Sequence, residues 1–435
     1  LPASLASDIA RLPLLRGALT GEGRFELADG NWTGRARMDG TGLADIDRPD
    51  METLTLGLTL DLDADAAVAA LVASGGGLEA EGHIRRAGPT GSLTAIAGPE
   101  GAAIEGRFTA NGDATSLGSL LLPVETRMES GRVESRILVG GTRASPSIEG
   151  HLSVRDGHVV AETSGSVIAG LAIDAELDEE SLSVVRFEAT DDRDGRISGE
   201  GEWRLDGNGR DGRGRLEFDR FVAAHRPDLT LQATGHADLR LDAEGLGISG
   251  ETDLVQLRIR PALNGASSIP DLDVEEINLP KGRQSERRET LPIRLDYRVR
   301  ADDGIHVNSR AFATEWGLDL QVTGPSGKPS LHGSADLLNG SAFVFSRRFT
   351  MEDGSVTFDG APDDARLDLT AVHRRTGFAA TARLTGRANA PTVTLSSDPS
   401  LPEDEILSRL LFDQSVSQLG ALEAAQLAAQ LSGQD

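Results

Sequence analysis

Residues 317–397 contain six short runs: GLDLQVTG (317–324), SAFVF (341–345), SVTFDG (355–360), ARLDLTAV (365–372), GFAATARLTG (377–386) and APTVTLSS (390–397). In most of them apolar and polar residues alternate. Leu318, Leu320 and Val322 interleave with Asp319, Gln321 and Thr323, and Leu367, Leu369 and Ala371 with Arg366, Asp368 and Thr370. A period of two sends the aliphatic side chains to one face of a strand and the polar ones to the other. Strand follows strand with no amphipathic helix between them to cover the apolar face. The expected fold class is all-β, of antiparallel-type strands, with two short helices near the C-terminus.

The same signal spreads outward along the chain. TLTLGLTLDLDAD (53–65) puts Leu54, Leu56, Leu58, Leu60 and Leu62 on one face, and LAIDAELD (171–178) does so with Leu171, Ile173, Ala175 and Leu177. DLTLQATGHADLRLDAEG (228–245) alternates through Leu229, Leu231, Leu239 and Leu241. Thirteen Asn-Gly or Asp-Gly dipeptides punctuate the chain. Positive φ is easy for Gly and tolerable for Asn and Asp, so these dipeptides read as tight hairpin turns. On that reading HLSVRDGHVV (151–160) is a hairpin about Asp156-Gly157, another turns through Asn208-Gly209, and the whole is a meander.

Three stretches break the pattern. SLASDIARL (4–12) reads as a short helix, and DAAVAALVA (65–73) as a helical turn or two capped by Asp65. Residues 261–292 carry four of the 18 prolines and a cluster of mixed charge, and read as a linker or excursion. SLPEDEILSRLLF (400–412) fits a capping box, with acidic residues at the positive end of a helix striped by Ile406, Leu407, Leu410 and Leu411. A second helix is expected over 415–431, with Val416, Leu419, Leu422, Leu427 and Leu431 on one side. Both helices are expected to cap an exposed sheet edge. The implied organisation is a Gly-rich β region over 1–140, a β repeat region over 141–260, the excursion over 261–295, a β-groove domain over 296–399 and a helical segment over 400–433. PSIEG (146–150) and PSLHG (329–333) are a faint internal echo.

Composition narrows the function. The 435 residues include 51 Gly, one Tyr and no Cys, so neither a disulfide framework nor a thiolate site exists. A net charge of −26 argues against nucleic acid and against an anionic membrane surface as partners. No apolar run reaches a membrane span. Catalytic motifs are equally scarce. Gly207, Gly209 and Gly212 match a dinucleotide fingerprint by letter, but a strand rather than a phosphate-binding helix follows them. Asp191, Asp192, Asp194 and Gly195 resemble part of a calcium loop without its closing Glu, and read better as a polar turn. The eight His are scattered singly, without metal-ligand spacing. The reading is a non-enzyme with no cofactor and no metal.

What remains is the aliphatic face. Alternation leaves two accounts open. In one, two such faces bury each other in a closed β-sandwich or solenoid, an adhesive or passenger-type binding protein without lipid transport. In the other, a sheet curls along its length around an apolar trough, which suits an acyl chain because methylenes need no aimed hydrogen bonds.

A resemblance bears on this choice. LDLQVTGPSGKPSLHGSADLLNGSAFVFSRRFTMEDGSVTFDG (318–360) and RLTGRANAPTVTLSSDPSLPEDEILSRLLFDQSVSQLGALEAAQLAAQLSG (383–433) resemble the C-terminal domain of the TamB family, the inner-membrane component of the translocation and assembly module. The resemblance covers residues 296–433, with 141–260 resembling the segment before that domain. It implies a periplasmic protein of outer-membrane biogenesis and protein secretion, related to AsmA-like and bridge-like lipid-transfer proteins. It further implies an elongated, curled, antiparallel-type sheet whose β-taco-like hydrophobic groove carries phospholipid acyl chains, or nascent outer-membrane protein strands, between the inner and outer membranes. The implied partners are an Omp85-type outer-membrane barrel, TamA-like or BamA-like, and the inner membrane of a Gram-negative cell. The chain begins at Leu1-Pro2 and stops at Gln434-Asp435, so it reads as a fragment, with the anchor and the partner-binding last strands expected outside it. The groove residues expected are Leu318, Leu320, Val322, Phe343, Phe345, Val356, Phe358, Leu367, Leu369, Phe378, Leu384, Val393 and Leu395, and upstream Leu171, Ile173, Leu229, Leu231, Leu239 and Leu241.

Overall fold

The computed structural model describes residues 15–45, 53–90, 101–115, 118, 122, 125–142, 145–179, 181–204, 211–261, 292–344, 347–420, 422–423 and 426. The helix expected over 4–12, the Asn208-Gly209 turn, most of the 261–292 excursion, Phe345 and much of the second C-terminal helix lie outside them. The described residues are dominated by strands, all assigned to a single sheet of 21 strands. They divide into two compact units, Leu1–Ala223 with Asp238–Ala243, and Ala224–Ala237 with Glu244–Asp435.

The first unit holds β1 (Leu15–Ala28), β2 (Asn31–Asp45), β3 (Leu54–Asp63), β4 (Ala66–Gly75), β5 (Leu78–Ala87) and β6 (Ile104–Asp113). These are followed by β7 (Thr126–Gly141), β8 (Pro146–Ala161), β9 (Ser166–Asp178), β10 (Ser181–Thr190), β11 (Arg196–Arg204) and most of β12 (Gly212–His225). Each pairs antiparallel with the next. β13 (Leu229–Asp242) contributes residues to both units. The second unit continues with β14 (Gly245–Ile259), β15 (Ile293–Asn308), β16 (Phe312–Pro325), β17 (Ser330–Val344) and β18 (Arg347–Gly360). It ends with β19 (Arg366–Arg375), β20 (Phe378–Arg387), β21 (Ala390–Asp398) and one helix, α1 (Glu403–Phe412).

Several local expectations are corrected. DAAVAALVA is not helical but forms β4. Its Ala67, Ala69, Leu71 and Ala73 face Leu62, Leu60, Leu58 and Leu56 of β3, so cross-strand packing overrides the helix preference of alanine. Asp156-Gly157 is not a hairpin: β8 runs straight through it, with Asp156 at φ 52° and a register shift between Val154 and Gly157. Asp303-Gly304 likewise sits at a register shift inside β15, with Gly304 at φ 79°. In both places the residues that tolerate positive φ make a β-bulge instead of a turn. The chain is also not a pure meander, because β14 and β15 pair in parallel. The capping box is absent too. Pro402 occupies the N-cap without a side-chain bond, and the Ser397 hydroxyl instead takes the Leu401 N–H.

Dense packing is confined to a few places. Among the described residues, the large side chains with almost no exposure are Phe349, Ile406, Leu407 and Leu410. Ile406 and Leu410 of α1 lie on Phe349, Ala371, Phe378 and Ala380, so the helix covers part of the aliphatic sheet face beside the last strand, β21. Arg409 stacks over the Phe378 ring at 5.6 Å, and Arg347 Nε donates to the Leu410 carbonyl at 2.7 Å. Beyond Phe412 a short 3₁₀ turn, Val416–Gln418, stands where the second helix was expected to begin, and within that helix's range the described residues Leu422, Glu423 and Gln426 are helical. In the first unit a helical turn, with Gly118 N–H on Ala114 O and Leu122 N–H on Gly118 O, lies over the sheet. Ala114 packs with Leu78 and Val133, and Leu122 with Val159, Leu171 and Ala189.

Two outcomes follow for α1. Ile406→Ala removes a wholly buried side chain and should destabilise the second unit by about 2–5 kcal/mol, seen as faster amide exchange in β19 and β20. Glu405 accepts the Val416 N–H at 2.9 Å and Arg409 Nε at 2.7 Å. Its carboxyl is held below the usual carboxylate range, first by the Val416 N–H and then by Arg409. Protons therefore bind the unfolded form more readily. The stabilisation is complete above the ordinary carboxylate pKa of about 4.3 and is lost as pH falls through the lower folded value. Acid titration should loosen the helix over that interval, and Glu405→Gln should flatten the dependence. An unchanged acid profile in the variant would contradict this assignment.

Candidate functional site: an aliphatic face

The strand registers place one apolar residue opposite another across strand after strand. In the first unit a row runs Leu19, Gly40, Leu56, Ala73, Ala80, Ala110, Ser135, Leu152, Ala175, Val184, Gly201 and Gly214. One residue further along, the row reads Thr55, Ser74, Glu79, Asn111, Glu134, Ser153 and Asp174. In the second unit Ala301, Leu318, Ala335, Val356, Leu367 and Gly386 form one row, and Arg300, Asp319, Ser334, Thr357, Arg366 and Arg387 the adjacent one. The backbone pleat thus separates an aliphatic face from a charged one.

The two faces differ in exposure. Along β5 and β11 the aliphatic-face residues are buried or half-buried and their neighbours exposed. Away from α1 and the 114–122 turn, the leucines of this face, such as Leu56, Leu58, Leu60, Leu318 and Leu320, are only half-buried. The described strands form one open, curled sheet, and among the described residues no second sheet packs on this face.

At one end of the first unit the curl is tight enough to be bridged. Thr90 accepts the Trp32 N–H on its carbonyl at 3.2 Å, and its hydroxyl donates to the Trp32 and Asp63 carbonyls at 2.6 and 2.9 Å. The few residues after β5 therefore reach back to the ends of β2 and β3. Beneath them lies Arg86, on the aliphatic face between Ala67 and Ile104 and only 5% exposed.

The polar face is laced by arginine–carboxylate pairs. Arg298 meets Asp319 with Nε and Nη2 at 2.9 and 2.6 Å, and Arg383 meets Asp368 in the same way at 3.0 and 2.8 Å. The hydrogen bonds from these guanidinium groups hold both carboxyls below the usual range. A concavity of about 970 Å³ on this face is lined by Arg298, Asp319, His332, Asp359, Asp364, Arg366 and Arg387. Arg298 is satisfied there by Asp319 and Arg387 by Asp364, so much of its charge is already matched.

Leu318, Leu320, Val322, Val356, Phe358, Leu367, Leu369, Leu384, Val393 and Leu395 share the aliphatic face by register. Phe378 shares it and is buried under α1, whereas Val393 on the last strand is 56% exposed. Phe343 points the other way. β17 pairs Trp316 with Leu337 and Glu315 with Asn339, and skipping Leu338 switches the parity so that Ala342 and Val344 take the aliphatic side. Leu171 and Ile173 pack in the first unit with Val159 and Phe187. Leu229, Leu231, Leu239 and Leu241 are half-buried along β13.

Among the described residues no group of three or more His, Asp or Glu is placed to hold a metal. Asp191, from the calcium-like run, is occupied otherwise. Its carboxylate accepts the N–H groups of Arg193, Gly195 and Val222, each at 2.7 Å, which fixes the turn between β10 and β11.

Comparison with known proteins agrees with this architecture. The translocation and assembly module subunit TamB of Haemophilus influenzae is 25% identical over 214 residues, which make up 45% of this chain and 16% of that protein. The alignment thus reaches only a small part of the relative's length. The sequence model of the TamB C-terminal domain matches residues 185–434, beginning well upstream of the 296–433 region whose motifs carried the resemblance. With more than half of its length matched by that domain, the chain belongs to the TamB family.

Proposed function

We propose that the aliphatic face is a trough for acyl chains, and that the chain serves in the translocation and assembly module by carrying phospholipid along it. The carrying observation is the pair of adjacent rows in each unit. One is almost entirely aliphatic, glycine or alanine, half-buried and uncovered over most of its length, and the next is polar. Such a surface offers a methylene chain a gain of ~0.8 kcal/mol per group leaving water and asks for no directional bond. The glycines and alanines keep it smooth, so a chain can slide without a deep pocket to hold it. The likeness to a translocation and assembly module subunit supports a place in the cell envelope, acting in outer-membrane biogenesis between the inner membrane and an Omp85-type barrel.

The test uses neighbouring residues on opposite faces. Leu320 faces the aliphatic row, while Gln321 donates to Asp296 on the polar side at 2.6 Å. A photo-crosslinking residue at Leu320 should capture phospholipid in cells, and one at Gln321 should not. The same contrast is expected at Leu58 against Thr59. Leu320→Arg should fold normally and carry less lipid, because a lone charge among acyl chains costs several kcal/mol. If that variant unfolds and no aliphatic-face position captures lipid, the reading fails. Capture of unfolded polypeptide in place of lipid would reassign the trough to nascent protein strands.

A further inference from the structure

Arg86 does not fit the face it occupies. Every other position that register places on the aliphatic side of β3, β4, β5 and β6 is Leu, Ala, Ile, Phe or Gly. Arg86 stands in that row between Ala67 and Ile104, next to Ile84 on the same face, and is 5% exposed. Its Nη1 is tied down, donating to the carbonyls of Gly88 and Pro89 at 3.1 and 3.2 Å. Its Nε and Nη2 are buried and have no hydrogen-bond partner among the described residues.

The idle edge carries the information. Nε and Nη2 are the two donors that point the same way within the guanidinium plane, and they match the two oxygens of a carboxylate or phosphate. This protein uses that edge elsewhere, where Arg37, Arg226, Arg298 and Arg383 each hold an aspartate side-on through Nε and Nη2. In Arg86 the same edge is oriented by the Nη1 contacts and left unmatched. A buried cation without a counter-charge is costly, and a bound oxyanion removes that cost.

From this geometry we infer that Arg86 is an anion anchor at the bridged end of the trough, taking the phosphate headgroup of an amphiphile whose acyl chain lies along Ile84, Leu62 and Ala69. The inference rests on the acyl-chain reading above and adds a polarity to it: the headgroup sits at the Thr90 end and the chain runs away from it. The overall charge of −26 repels anions, so any preference for an anionic amphiphile has to arise locally.

Calorimetric titration of the whole 435-residue chain tests this with two probes of equal acyl length, each below its micellar concentration. One is a lysophosphatidic acid and the other a neutral monoacylglycerol. The wild type should bind the phosphate-bearing probe at least about tenfold more tightly, the scale of a bidentate charge-assisted contact. Arg86→Met should erase the difference while leaving the neutral probe's affinity unchanged, and Arg86→Lys, which keeps the charge without the fork, should retain part of it. Millimolar inorganic phosphate should not displace the lysophospholipid. Displacement would make this a free-phosphate site and overturn the lipid assignment. Equal binding of both probes by the wild type would remove the anchor while the trough stands. Binding of neither probe would defeat the trough reading itself. A lowered melting temperature in Arg86→Met with the wild-type preference intact would show Arg86 to be only a cap for the 87–89 carbonyls.

Discussion

A single-layer sheet cannot hide both of its faces, and everything else in this structure answers to that constraint. Hydrogen bonding along the strands satisfies the backbone, and the pleat sorts the side chains without choice. A sandwich would resolve the exposed aliphatic side by pairing two sheets. Here the described strands form one open, curled sheet, and only short segments lie on its aliphatic side. Leucines that would vanish into a sandwich core stay half-buried. The polar side pairs its own charges, with arginines bridging neighbouring strands, and such exposed pairs contribute little to stability individually.

Where the aliphatic side is covered, the cover is local. The α1 helix supplies Ile406, Leu407 and Leu410, three of the most completely buried large side chains among the described residues, and the turn holding Ala114 and Leu122 covers a second patch. Both leave the neighbouring rows uncovered.

The sequence carried the strands and the two faces plainly, because alternation survives wherever the register is regular. Leu318, Leu320, Val322, Val356 and Phe358 sit on the face that their spacing predicts. Bulges defeated the same logic. The residue skipped at Leu338 flips every later assignment on β17, which is why Phe343 and Ala342 exchange roles. Asp-Gly pairs misled in a related way, since a bulge and a hairpin need the same tolerance of positive φ. β4 looked helical because alanine favours helices in isolation, and only its leucine-rich partner strand explains its state. Arg86 was invisible for another reason. In GHIRRAG (82–88) two arginines follow one another, and only the register with Ala67 and Ile104 tells which one turns towards the leucines.

The parallel junction between β14 and β15 bears on how such a chain assembles. From β15 to β21 each strand pairs with the one just before it, so the sheet can grow like a zipper, each step closing a short loop. Joining β14 to β15 instead waits on residues 260–292. Closing a loop of that length costs about 2 kcal/mol more entropy than closing a tight hairpin, by the logarithmic scaling of loop closure. Strands from β15 onward therefore have reason to form their own nucleus before they meet β14. A chain delivered N-terminus first would then present a finished β14 edge, its backbone donors and acceptors unpaired, for as long as that nucleus takes to arrive.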